Sequence, residues 1–407
     1  MKLAARVLTP VDRDRVELLD RAVVEIAGGR IVAVRARAES EAVDEDLGDD
    51  VLLPGFVDGH VHWPQTRIVG SASGPLLDWL AQSTFPEEAR FADPRHVEDV
   101  VPRFLTALAK NGTTLALAYG PVFPEATEAL AAHASRRGLK LITGPVLMDE
   151  DCPAELVLTP DRALPALEAL AERWHGRDGI EIAVIPRFAL SCSRAAMEGA
   201  GRLAEARGLR VSTHLSENVV ECRIATERFG AADYLSVYED VGLLRPGAVF
   251  AHCIHLSPSE WDRMAAAGAV VAHCPDSNDF LGSGAMPIGE VHARELALVM
   301  GTDVAAGRSF RIPRILSSAY DNGLRCGVPL TPARLLWMGT RGGALALGHA
   351  ETGLVAPGHD ADLTLFRPPP WARTADEVLS SLLFDHDAGP MRRTWVRGRV
   401  VWDVGWD

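Results

Sequence analysis

Short apolar runs that end in turn or polar residues recur eight times along the middle of the chain, near His62, Tyr119, Met148, Leu190, Ser216, Cys253, Pro275 and Asp303. Between them lie Ala-, Leu-, Glu- and Arg-rich stretches with amphipathic patterning, for example residues 95–110, 124–137, 160–174, 194–207 and 258–267. The runs read as buried strands and the stretches as surface helices. Eight strand–helix alternations over this length predict an α/β fold built as a (β/α)8 barrel of the TIM type. A doubly wound open sheet is the competing architecture, but no Gly-rich phosphate loop follows the first strand.

The two ends of the chain are patterned differently. Residues 15–36 at the front, and 354–367 and 391–404 at the back, are β-rich. Ala27-Gly28-Gly29-Arg30 and Val396-Arg397-Gly398-Arg399 have the form of tight hairpin turns between alternating runs. Together they predict one small composite β-sandwich domain, residues 1–50 and 350–407, around a barrel of residues 51–349, with Pro368-Pro369-Pro370 as a rigid connection.

Composition narrows the partners. Apolar residues at 47% and charged residues at 24% match an ordinary soluble globular protein and exclude disorder, collagen and coiled coil. The longest charge-free windows fall short of the ~18 apolar residues of a spanning helix. The N-terminus lacks an uninterrupted apolar core and a small-residue cleavage site, so no signal peptide is expected. Lys and Arg number 41 against 55 Asp and Glu, and a net charge of −14 disfavours nucleic acid and anionic lipid as partners. The acidic balance points instead to a small-molecule substrate, and six cysteines without a CxxC spacing point to the reduced cytoplasm.

Candidate chemistry sits at the strand ends. His60 and His62 close the first barrel run, and alternation places both imidazoles on one face. His214 closes the fifth, His252 the sixth and Asp303 the eighth. In a barrel these are the positions that deliver catalytic groups. Imidazole nitrogens with a carboxylate suit Zn²⁺, with Fe²⁺ as the competitor. A second metal commonly needs a bridging carbamylated lysine at the end of strand four, and residues 180–190 contain no lysine. Lys140 begins strand three at the opposite end of the barrel, so one metal per chain is expected, with its water's pKa lowered to about 7. Glu217, in the loop after His214, is the candidate proton shuttle. Cys253 and Cys274 follow histidines, but adjacent strand residues face opposite sides, so buried structural thiols are expected there.

These residues carry a resemblance that runs over nearly the whole chain. Pro54-Gly55-Phe56-Val57-Asp58-Gly59-His60-Val61-His62 resembles the amidohydrolase superfamily. Pro64-Gln65, Pro75-Leu76-Leu77-Asp78-Trp79-Leu80, Pro186-Arg187-Phe188, His214-Leu215-Ser216-Glu217-Asn218, Ser277-Asn278 and Gly301-Thr302-Asp303-Val304 resemble, more narrowly, its guanine deaminase family. The resemblance implies hydrolysis of guanine to xanthine and ammonia by a homodimer. It implies zinc on His60, His62, His214 and Asp303, and water orientation and charge stabilisation by His252. It further implies ring protonation by Glu217, hydrogen bonds from Gln65 and Arg187 to the purine edge, and Phe188 near its face. Deamination of a pterin, a triazine or an adenosine-type thioether, or a purine-binding protein without catalysis, are the alternatives. Trp79 and Phe85 are read as parts of a lid, and Arg308, Arg311 and Arg314 make the loop after Asp303 unusually basic. His255 and His273 have no assigned role.

Overall fold

The computed structural model describes residues 1–72, 74–385, 387 and 389–406. Eight parallel strands stand side by side in chain order: Phe56–His62, Thr113–Gly120, Lys140–Leu147, Ile180–Pro186, Arg210–Leu215, Val249–His252, Val270–His273 and Ala297–Met300. Helices connect successive strands, giving the barrel. Local chemistry sets their ends. Pro94–Lys110 starts with Pro94 at its first position and the Asp93 side chain accepting from Arg95 N–H. Pro124–Arg137 and Arg194–Arg207 stop at Gly138 and Gly208, both left-handed, and Pro258–Ala266 opens with a Ser257/Glu260 capping box. No helix among the described residues is long and apolar enough to cross a membrane.

Strands one and eight meet at a tight seam. A Cβ on Gly59 would lie 2.2 Å from a Val299 methyl, and one on Gly301 2.7 Å from His60 Cβ, so both positions need glycine. Asp58, fully buried, ties the seam: Oδ1 accepts from Thr302 N–H at 3.0 Å and Oδ2 from the Thr302 hydroxyl at 2.6 Å. The main chain adds Asp303 N–H to His60 carbonyl at 2.8 Å and His62 N–H to Val304 carbonyl at 3.1 Å.

The run from Val51 to His62, read as one barrel strand, divides at Gly55. Residues up to Pro54 pair with Lys2–Pro10 and Leu363–Phe366 in another sheet, and the barrel strand starts at Phe56. Strand four also ends sooner than the apolar run suggests, at Pro186, because Ala189–Ser191 turns into a 3-10 helix.

The second sheet is continuous and mixed, in the order Arg399–Asp403, Arg393–Val396, Leu363–Phe366, Glu45–Pro54, Lys2–Pro10, Val16–Ala27, Arg30–Ala36. Alternate residues of several strands, among them Leu3, Val24, Leu52, Leu363 and Trp395, gather into an apolar cluster of its own. Gly28 and Gly29, and Arg397 and Gly398, have positive φ, the pairing that two-residue hairpins require. Helix Ala375–Phe384 lies between the two C-terminal β-rich segments but packs against barrel helix Ile312–Arg325 through Phe384 and Tyr320, ring centroids 5.3 Å apart.

Lys140 joins the two layers from the bottom of the barrel. Its buried ammonium lies 2.5 Å from both Asp360 and Asp362 and donates to Thr352 at 3.0 Å. Lys140→Met strands buried carboxylates. The expected loss is about 3–5 kcal/mol of stability, read from the urea midpoint at constant slope. A shift worth under about 1 kcal/mol would show the pair to be dispensable.

Candidate active site

His60, His62, His214 and Asp303 converge at the C-terminal mouth of the barrel, their ligand atoms within 4.8 Å of one another. His60 Nε2 is 3.2 Å and His62 Nε2 3.6 Å from Asp303 Oδ1, and the Nε2 atoms of His62 and His214 are 3.1 Å apart. His214 is aimed by its Nδ1–H, which donates to the Arg187 carbonyl at 2.6 Å. Asp303 lies past Met300, where strand eight ends, and reaches back with φ 47°.

The protonation states suit a cation. Burial holds the His60, His62 and His214 pKa values below the usual range, leaving neutral rings with lone pairs. Burial alone would raise Asp303, but the hydrogen bond from His60 and the charges of His60 and His252 prevail, and its carboxyl is lowered. Nδ1 of His60 and Nδ1 of His62 are buried without a hydrogen-bond partner among the described residues, and Nε2 of His60 faces the Asp303 carboxylate. Orphaned buried nitrogens facing an ionised carboxylate are a donor set for a divalent metal.

His252 and Glu217 flank this cluster. Register pairs Ala251 with His214 and His252 with Leu215, so plain alternation would turn His252 away from His214. A φ of 70°, rare for a residue with a Cβ, swings it in. Its Nε2 lies 3.4 Å from Glu217 Oε2 and 3.9 Å from Asp303 Oδ2, while Nδ1–H donates to Asn278 Oδ1 at 2.8 Å. Burial depresses the His252 pKa, but the Glu217 and Asp303 carboxylates outweigh it and the net shift is upward. Glu217 is pushed up to about 7, first by burial and then by Asp303 and Glu221, against the opposing charge of His252.

Gln65, Arg187 and Phe188 line the same cleft as His62, His214 and Glu217, a space of about 390 Å³ including its open mouth. Gln65 Oε1 accepts from Ala305 N–H at 3.0 Å. Trp79 also borders the cleft, fixed by its indole N–H on the Ser71 carbonyl at 2.9 Å; Phe85 instead lies beneath the Arg187 guanidinium.

Several contributors escaped the sequence reading. Glu221 accepts from the N–H groups of Glu217 and Asn218 and from the Tyr234 hydroxyl, so it fixes the loop that carries Glu217. Its signal was present, since Asn218 and Glu221 have capping-box spacing. Tyr238 donates to the His214 carbonyl at 2.8 Å, and Ser283 Oγ to Glu217 Oε1 at 3.2 Å. Glu88, buried between Gln65 and Arg187, had no local signal at all.

The basic loop is neutralised within the protein. Arg308 grips buried Asp276 through its backbone N–H and guanidinium, Arg314 lies 3.9 Å from the same carboxylate, and Arg311 donates to the Gly389 carbonyl. Cys253 and Cys274 are buried, with Sγ on backbone carbonyls and thiol pKa values raised by burial. His255 donates to the Ser283 carbonyl at 3.0 Å. His273 is buried with neither nitrogen partnered among the described residues, and burial lowers its pKa to about 3.

Comparison with known proteins places this geometry. The model of the amidohydrolase family matches residues 51–401. The "Probable guanine deaminase" of Deinococcus radiodurans is 38% identical over 91% of this chain and 88% of its own length. The structure of Escherichia coli guanine deaminase superposes with a TM-score of 0.94 at 30% identity, covering 99% of each chain. That of guanine deaminase from C. acetobutylicum, with guanine bound in its active site, gives 0.93 at 25% identity over 98% of this chain and 99% of that one.

The metal set is tested by content rather than rate. His214→Ala and Asp303→Ala are expected to lower bound metal well below about one equivalent per chain, whereas Glu217→Gln retains it. Elemental analysis of the purified variants decides this, and loss of metal from Glu217→Gln would make Glu217 a ligand rather than a neighbour.

Proposed function

Because the chain belongs to the amidohydrolase family, we propose that it catalyses the hydrolytic deamination of guanine to xanthine and ammonia. Full-length similarity to guanine deaminases supports the substrate. The observation that carries the reading is that Gln65 and Arg187 share one cleft with the His/Asp cluster and Glu217. A site built to pair donors and acceptors on a flat heterocycle discriminates far better than an apolar slot.

His60, His62, His214 and Asp303 would hold one metal per chain, which we assign as Zn²⁺ over Fe²⁺ from three nitrogens and one carboxylate oxygen. When bound, such an ion acts as a Lewis acid that makes water nucleophilic near neutral pH. The rest falls to the side chains. Gln65 and Arg187 hold the polar edge of the purine, and Phe188 packs near its face. As the water oxygen adds to the carbon bearing the amine, electrons move onto the adjacent ring nitrogen. Glu217, in mid-titration at neutral pH, takes the water's proton and delivers it there. His252 Nε2, held between Glu217 and Asp303, orients the water and opposes the negative charge that develops. The proton left on the added hydroxyl then passes to the amine, and as the carbon–oxygen double bond forms the C–N bond breaks and ammonia leaves. The reading carries with it a cytoplasmic homodimer acting on a small purine, with no membrane or nucleic acid as partner.

Four measurements bear on it. Metal-loaded protein should release ammonia from guanine, and no release despite bound metal would redirect the search to other amino-heterocycles. Glu217→Gln should cost about 10²-fold or more in kcat with metal retained. Arg187→Ala should cut kcat/KM for guanine by about 10²-fold with metal retained, and parallel loss of metal would mark it as structural. Glu217 must start as a carboxylate to take the water's proton, and with its pKa pushed up to about 7, lowering the pH protonates it in advance. The pH–rate profile should therefore fall on its acid side, and a profile still flat at about pH 5 would exclude Glu217 as shuttle.

A further inference from the structure

Behind the two groups that face the purine lies a third that does not. Glu88, on the short helix Phe85–Ala89, is 1% exposed. Its Oε1 accepts from Gln65 Nε2 at 2.9 Å and from Arg187 Nη1 at 3.0 Å, and its Oε2 from Arg187 Nη1 at 2.7 Å. A carboxylate only accepts, and the Ala305 N–H on Gln65 Oε1 only donates, so the amide has a single orientation. Gln65 keeps one amide hydrogen and one lone pair for a ligand. Arg187 commits Nη1, leaving Nε and Nη2 without a protein partner among the described residues. Its guanidinium is further confined over the Phe85 ring at 5.6 Å.

The pairing also sets charge. A buried guanidinium without a counter-ion favours anions, whereas Arg187 and Glu88 together are formally neutral while keeping their directed donors. Guanine is neutral at neutral pH, and xanthine loses a ring proton just above it. Resting on the guanine reading, we propose that Glu88 is the positioning residue that sets the selectivity of the cleft. It aims Arg187 and Gln65 and cancels the arginine's charge, so the site takes a neutral purine in preference to the anionic product.

The test compares metal-loaded wild type with Glu88→Gln and Glu88→Asp at mildly alkaline pH, where xanthine is largely a monoanion. Glu88→Gln keeps the shape but leaves the guanidinium uncancelled. Its kcat/KM for guanine should fall on the order of 30-fold, mainly through KM, while inhibition by xanthine tightens by about 5-fold and metal content holds. Glu88→Asp keeps the charge but shortens the reach, so guanine weakens without a gain for xanthine. Parallel weakening of guanine and xanthine in Glu88→Gln, or loss of metal, overturns the proposal while wild-type activity leaves the guanine reading standing. A wild type inactive on guanine removes both.

Discussion

Everything at the active site depends on how the barrel closes. Strands one and eight approach so tightly that glycine is needed at 59 and 301, and Asp58 bridges them through Thr302. That contact brings His60 and His62, on the first strand, against Asp303, just beyond the last. The meeting of the two histidines with Asp303 is therefore a product of ring closure, since they lie more than two hundred residues apart, while His214 joins them from the fifth strand. Asp58 is itself a buried carboxyl, pushed up to about 7 by burial, and three donors from Thr302 and His60 satisfy it. The seam orders His60 and His62, and the turn beyond strand eight delivers Asp303.

The second ring of contacts removes freedom from each functional group in turn. His214 is fixed by the Arg187 carbonyl at its ring and by Tyr238 at its main chain; His252 is fixed by Asn278; Glu217 is held through Glu221 and Ser283. Groups so held need little reorganisation when charge develops, which is where preorganised sites lower barriers. Arg187 links the two halves, because its carbonyl orients His214 while its side chain lines the cleft.

Much of this was legible along the chain. Helices 124–137, 160–174 and 194–207 begin and end at the expected residues, because Pro and Ser at their starts and Gly at two of their ends act locally. The strand ends that carry His60, His62, His214 and Asp303 were legible for the same reason, apolar runs stopping at polar residues. His252 was found for an incomplete reason: period-two alternation points it away, and the left-handed backbone that corrects it has no local signature in a residue with a Cβ. The Val51–Pro54 segment was misplaced because an unbroken apolar run cannot say which sheet it joins. Glu88 was invisible because its meaning lies in two partners distant in sequence, and a Glu on a short amphipathic stretch reads as solvated.

The carboxylates of the cleft show how one side-chain type performs different tasks. Asp303 is held ionised by His60 and His252 and so is suited to bind a cation. Glu217 faces a weaker balance of the same forces and rests near neutrality, where it can both take and give a proton. Glu88 has neither task, because both of its oxygens are occupied by Gln65 and Arg187. On the proposed reading, the arginine's positive charge is cancelled by Glu88 at the end where the ring would be recognised, away from the His/Asp cluster where water would be activated. A neutral purine spanning the cleft would then meet directed donors along its edge and the cluster at the carbon that loses its amine, so binding and chemistry would draw on separate parts of one small site.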